Sequence, residues 1–382
     1  MLSAQQGLCQ ILGITHPLIQ APMAGVQGSA LAIAVSQAGG LGSLPCAMLS
    51  PEQIKGEIET IRAATGASGL HGLPYNLNFF CHAPPPHDVA TLEREAAWRK
   101  LLAPYYAEHD IDAASISAGA GRAPFSDALC DLIAPFKPPV VSFHFGLPAP
   151  HLVARIKAWG GKVLSSATTV AEAQWLEVHG ADAIIAQGVE AGGHRGVFLR
   201  MNEHGSHAGL SNTFPSDWRD ELSTQQGTFT LAPQIVATVN VPVIAAGGIA
   251  SAYGVQAAFA LGASAVQIGT AFMLCPEATT SALHRAALGR SAAHPEQHHT
   301  ELTTLFTGRP ARGITNRIMR ELGAINTATP AFPTSTAAIA PLRAAAEKAG
   351  YADFSPLWSG QNASGCRTVP AAELMAGLLK TT

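Results

Sequence analysis

The chain has 382 residues, 47% hydrophobic and 13% charged, with a formal net charge of -3. That length and apolar content suit a large core with an added subdomain and exclude a disordered chain, while the near-neutral charge excludes nucleic acid or an anionic membrane surface as an electrostatic partner. Apolar runs such as Val241–Ala246 are too short to span a bilayer, and Met1–Leu12 lacks the basic and apolar regions of a signal peptide, so a cytoplasmic enzyme is expected.

Continuous apolar runs predict strands at Pro17–Ala21, Gly42–Pro45, Leu77–Phe80, Val140–Phe145, Val163–Ser166, Ala183–Ala186, Val243–Ala246 and Ala265–Ile268. Ala-rich segments with helical spacing lie between them, for example Ser29–Ala38, Pro51–Ala64, Val170–His179 and Ala252–Leu261. Strands and helices alternating in this way predict an α/β fold, a TIM (β/α)8 barrel whose strands are buried on both faces. Two connections are long, 81–137 and 189–228, and would rise from the C-terminal face where such barrels build their sites. The first carries a polar helix candidate, Asp88–Leu102. After residue 275 the alternation stops. Residues 276–382, with helix candidates at Ala278–Leu288, Ile314–Leu322, Ala337–Ala349 and Ala371–Leu379, read as a mostly helical cap whose last helix returns to the barrel at 1–275.

Gly247-Gly248 follows the seventh strand, and Gln267-Ile-Gly-Thr270 ends the eighth. Glycines after consecutive strands let an anion approach backbone N–H groups, Thr270 adds a hydroxyl, and a following helix could add its positive N-terminus. Bound phosphate, on a flavin or on a substrate, is the expectation. Gly119-Ala-Gly121 lacks the third glycine of a dinucleotide fingerprint. The sixth strand runs into Gln187-Gly-Val-Glu-Ala-Gly-Gly-His-Arg-Gly196. Its glycines predict a flexible loop that lies against a planar ligand, and His194 among them is suited to proton transfer near neutral pH. Gln187 offers an amide to a flavin edge, and Glu190 and Arg195 read as an ion pair that shapes the loop.

The ordered segments Gln20-Ala-Pro-Met-Ala-Gly25, Ala38-Gly-Gly-Leu-Gly-Ser43, Pro74–Phe80, Val141-Ser-Phe-His-Phe-Gly146, Gln187–Gly196, Ala245–Ile249 and Gln267–Thr270 resemble the nitronate monooxygenases, most closely their class I branch. Gly308-Arg-Pro-Ala-Arg312 with Asn316-Arg317 extends the likeness into the cap. The resemblance implies non-covalent FMN, dioxygen as oxidant and alkyl nitronates as substrates, oxidised through a flavin semiquinone to a carbonyl compound and nitrite. It carries flavin contacts to Met23, Asn78, Gln187, Gly192, Gly193, Gly247, Gly248, Gln267, Gly269 and Thr270, and the catalytic base to His194. The expected partners are a small nitronate and dioxygen, with a homodimer as the candidate assembly.

Flavin-dependent enoyl- or quinone reductases that use NAD(P)H remain a rival reading, and a non-catalytic phosphate-ligand barrel a further one. His144, at a strand end, is a candidate substrate contact. Tyr105 and Tyr106 are candidates to close the pocket from the long connection. His82 and His87 flank a proline run and read as loop. His294, Glu296, His298, His299 and Glu301 lack a metal-ligand spacing, so no metal site is expected. The six cysteines form no Cys-x-x-Cys pair and read as reduced, packed thiols.

Overall fold

A computed structural model describes residues 3–66, 71–86, 88–116, 122–201, 207–210 and 217–380. Gly119–Gly121, His87, His204–Ser206 and Pro215 lie outside the described residues. The strands are β1 Leu18–Gln20, β2 Gly42–Pro45, β3 Tyr75–Phe80, β4 Val140–His144, β5 Lys162–Ala167, β6 Ala183–Gln187, β7 Gly193–His194, β8 Leu199–Met201, β9 His207–Leu210, β10 Val243–Ala246, β11 Ala265–Ile268, β12 Thr300–Thr303 and β13 Ala311–Ile314.

Eight of these form one parallel sheet in the order β1-β11-β10-β6-β5-β4-β3-β2. They are the eight expected strands, and helices cross between them as a TIM barrel requires. Closure falls between β1 and β2. Ile19 bridges Leu41 in parallel, and a buried amide network reinforces the seam. Gln20 Nε2 donates to Gln27 Oε1 at 2.6 Å, and Ser43 N–H donates to Gln20 Oε1 at 3.1 Å. The same Gln27 oxygen accepts from Met23 N–H at 3.2 Å, which fixes the turn leaving β1.

Alternate strand residues sort into two cores, as the period of two demands. Val140, Leu164, Ile185 and Ile244 join Leu8 and Leu12 of the helix Ala4–Leu12, which plugs the barrel floor. Their neighbours Val141, Val163, Ile184 and Ala245 pack in the layer between strands and outer helices. Ser3 starts the plug helix with a reciprocal capping box to Gln6.

The 81–137 connection holds a helix over Val89–Glu108, longer than expected because it continues through Pro104. Its face of Trp98, Leu102, Tyr105 and Tyr106 packs against Leu305, Ile339, Leu342 and Phe354 of the C-terminal region. That corrects the expectation for the two tyrosines. Tyr106 Oη donates to the Ala338 carbonyl at 2.7 Å and Tyr105 meets Phe354 edge to face, so both are core residues, away from the barrel mouth. A further difference concerns Ile314, expected to open a helix. It ends β13, and the helix starts at Arg317 after the Asn316 cap. Strand β13 is the centre of a three-stranded antiparallel sheet, β12-β13-β7, so the C-terminal region is built onto the loop that carries His194. The last helix, Ala371–Leu378, packs against the helix Ser29–Gln37 and puts Leu374 and Met375 into the barrel's outer core.

Candidate active site

One cavity opens over the C-terminal ends of the barrel strands, with about 1390 Å³ of empty space including that continuous with solvent. It gathers the catalytic, flavin-contact and substrate-contact candidates expected from sequence, though not Tyr105 and Tyr106. Met23 comes from the turn after β1, Asn78 from β3, His144 from β4, Gln187 from β6, Gly192–His194 from β7 and its approach, Gly247-Gly248 from the end of β10, and Gln267, Gly269 and Thr270 from the end of β11.

The loop bearing His194 is pinned, contrary to the flexible loop expected. His194 pairs with Ala311 and Gly193 with Arg312 across β7 and β13, and Arg195 N–H donates to the Pro310 carbonyl at 2.9 Å. Two barrel side chains hold the same carbonyl. Gln187 Nε2 donates to His194 O at 2.9 Å, and His144 Nε2 donates to it at 3.1 Å. Gln187 Oε1 accepts from Gly196 N–H at 2.8 Å, so much of the amide expected at a flavin edge serves the loop. Since a carbonyl can only accept, His144 carries its proton on Nε2, and Nδ1 accepts from Ser166 Oγ at 2.5 Å. Both nitrogens are engaged, and burial pushes the imidazole down to about 3. His144 therefore lines the cavity as a fixed neutral ring.

Arg195 and Glu190 do not form the expected ion pair. Arg195 is fully buried and donates to the carbonyls of Gly188 and Gln187 at 2.6 and 2.7 Å and to Gln225 Oε1. Glu190 instead accepts from Thr228 N–H and Oγ1. From the C-terminal region, Arg312 Nε donates to the Val189 carbonyl at 2.8 Å. Arg309 donates to the Val197 carbonyl and stacks 3.9 Å from the Phe145 ring centre. Buried carbonyls at the end of β6 are thus satisfied by guanidinium groups, whose planar donor fork can serve several oxygens at once.

His194 itself is held at Nε2, 3.0 Å from Thr307 Oγ1. We assign that hydroxyl's hydrogen to the Arg309 carbonyl at 3.3 Å, which makes it the acceptor from Nε2–H and puts the imidazole lone pair on Nδ1. The ring sits among Phe80, Phe145, Phe332 and Trp358, with centroids 5.4 to 6.0 Å away. Burial, then the positive charge of Arg122 and the neighbours His144, Arg309 and His82, hold His194 well below its ordinary value. It is a neutral imidazole at neutral pH.

The opposite side of the cavity is a backbone cradle. Gly247 and Gly248 have φ of 120° and 70°, which side-chain-bearing residues rarely adopt. A segment far along the chain completes it. Gly360 N–H donates to Thr270 Oγ1 at 2.9 Å, Gln361 N–H to the Glu190 carbonyl at 2.9 Å, and Asn362 Nδ2 to the Gly248 carbonyl at 3.0 Å. After β11 the chain forms only a short 3-10 turn, Thr270–Leu274, so the helix dipole expected there is reduced to one turn. Sequence reasoning missed Trp358, Gly360 and Asn362, and also Phe80, Ser166 and Arg122, all of which line the cavity. The first three stand in an irregular stretch with no strand or helix pattern. His82, read as loop, is buried at 3% exposure against Phe332. His298, in the polar histidine run, meets Ser291 Oγ and the Gly360 carbonyl with its two ring nitrogens.

A barrel mouth of this kind, with a neutral histidine facing an apolar chamber and a glycine-lined cradle beside it, belongs to the flavin-dependent oxidoreductases. The family model for nitronate monooxygenase matches residues 5–381. A nitronate monooxygenase of Pseudomonas aeruginosa is 40% identical over 373 residues, which cover 97% of each chain. Among solved structures, nitroalkane oxidase from Streptomyces ansochromogenes superposes with a TM-score of 0.82 at 35% identity, covering 97% of this chain and 96% of that one. FabK from Thermotoga maritima reaches 0.65 at 25% identity, covering 98% and 94%. The chain belongs to the nitronate monooxygenase family.

Proposed function

We propose that the chain oxidises alkyl nitronates with dioxygen to a carbonyl compound and nitrite, using non-covalent FMN in the cavity over the barrel. The observation that carries this reading is His194, a neutral imidazole with Nε2 3.0 Å from Thr307 Oγ1, on the cavity wall beside a glycine cradle. The residues fit the flavin. Among the described residues no carboxylate lines the cavity to oppose a phosphate, Gly247 and Gly248 leave the cradle without side chains, and Asn78 and Gln267 supply amides along the barrel rim. Gly192 and Gly193 keep the wall under His194 equally bare. When bound, FMN supplies the redox chemistry, accepting electrons from the nitronate and returning them to dioxygen. For a neutral nitroalkane, His194 Nδ1 removes the α-proton first; the nitronate arrives without it. Residues 1–275 act as the flavin-binding barrel, and residues 276–382 as a cap that walls the substrate side.

Oxygen uptake by the purified yellow protein with an alkyl nitronate, with nitrite as product, tests the reading. Absence of uptake with a panel of nitronates refutes it. The rival reading from sequence is a flavin-dependent reductase that uses NAD(P)H. Anaerobic addition of NADPH or NADH separates the two, since a reductase bleaches the flavin rapidly and a nitronate oxidase does not.

A further inference from the structure

Among the described residues lining the cavity, Arg122 alone is permanently charged; no described Asp, Glu or Lys reaches it. Arg122 takes part in no ion pair among the described residues. Its Nη1 is buried without a hydrogen-bond partner, while Nη2 reaches only the Met48 sulfur at 3.8 Å, a weak acceptor. A desolvated guanidinium nitrogen with nothing to donate to is costly, and native structures rarely keep one without a use. Burial pulls its pKa down to about 10, so it stays protonated at neutral pH.

Arg122 and His194 flank one phenyl ring. The guanidinium carbon lies 5.6 Å from the Phe332 centroid and the imidazole centroid 5.4 Å from it. We propose that Arg122 is the anion-holding residue of the active site, its guanidinium turning to donate to the oxygens of the substrate's own nitronate head and so selecting the anion over the neutral nitroalkane. This rests on the nitronate-oxidising reading given above. The planar two-oxygen head of a nitronate matches the donor fork of a guanidinium as a carboxylate does. Phe80 on the cavity wall, backed by the buried rings of Phe145 and Phe332, raises the value of that contact by excluding water.

The test compares wild type with Arg122→Gln and Arg122→Lys, each checked for unchanged thermal melting and FMN content. Nitrate, a planar monoanion with the same oxygen geometry, is titrated into the FMN-loaded proteins and followed by the flavin absorption spectrum. Nitrate affinity is expected to fall about tenfold to a hundredfold in the glutamine variant and less in the lysine variant. KM for an alkyl nitronate rises by a similar factor, while KM for the neutral nitroalkane rises less than about threefold. A second readout is the acid limb of nitroalkane oxidation. The groups facing His194 are Arg122, His144, Arg309 and His82, and removing the Arg122 cation moves that limb to higher pH. Unchanged nitrate affinity and nitronate KM in Arg122→Gln overturn the proposal. If wild type oxidises no nitronate yet the nitrate titration still depends on Arg122, the anion site stands and the activity reading fails.

Discussion

Thr307 and His194 are joined at 3.0 Å across 113 residues of sequence, and the contact engages Nε2, with the lone pair assigned to Nδ1. Thr307→Val keeps the shape and removes the acceptor for Nε2–H. Oxidation of neutral nitroalkane is expected to fall about tenfold, from loss of the preferred tautomer, while nitronate oxidation changes little. His194→Asn should lower nitroalkane turnover further, by about 10²–10⁴-fold. Equal rates of nitroalkane oxidation in His194→Asn and wild type would remove the base assignment.

Gly192 faces the backbone of Ser359 and Gly360. A Cβ there would lie 2.5 Å from Gly360 N and 2.6 Å from the Ser359 carbonyl carbon, where neither side can yield by a rotamer change. Gly192→Ala should therefore push the Trp358–Asn362 segment off the cradle. The expected result is loss of bound FMN, seen as flavin released on gel filtration, with a melting temperature lower by about 2–6 °C. Full flavin retention would show that this segment does not close the cofactor site.

Gln187 braces His194 through both ends of its amide, to the His194 carbonyl and the Gly196 N–H. Gln187→Leu keeps the volume, leaves the buried Gly196 N–H without its acceptor and leaves the His194 carbonyl to His144 alone. A loss of about 1–3 kcal/mol in unfolding free energy is expected, measured by denaturant titration of the flavin-free protein. A variant as stable as wild type would mean that the β7–β13 pairing alone fixes the loop.

Buried histidines give the fold an acid limit. His82 and His284 are lowered to about 4 and His144 to about 3, chiefly by burial, against an ordinary value of 6.5. Below pH 6.5 the unfolded chain binds protons that the folded chain does not. Stability is thus complete above that pH and falls as pH drops toward the folded values. Each group contributes up to about 1.4 kcal/mol per pH unit in that window. Denaturant midpoints should drop steeply between about pH 6 and pH 4.5, and His284→Gln should flatten the slope. A midpoint constant over that range would contradict the burial of these rings.

Much of the site was legible because a barrel places strand ends on one face. Each strand-end residue singled out from sequence, from Met23 to Thr270, lines the same cavity. What misled was function inferred from residue type. The glycines around His194 suggested flexibility, yet they allow close packing against Gly360, Thr228 and His144. Glu190 and Arg195 suggested an ion pair, yet each serves a separate set of backbone groups. Tyr105 and Tyr106 suggested a lid, yet their helix has its own apolar partner in the C-terminal region.

By itself the sequence determined the barrel, since eight buried strands alternating with helices leave few other ways to hide two apolar faces. It also determined which strand ends carry the chemistry-bearing side chains. Only the tertiary structure decided what holds His194 and what faces it. Thr307, Ala311, Arg122 and Trp358 reach the site from segments 72 to 164 residues away along the chain, each a difference of residue numbers from 194. Their local patterns encode a hairpin, a loop and an irregular stretch. Their roles come from long-range pairing and from burial, which fix a tautomer and leave a guanidinium unpaired, and no local periodicity carries that information.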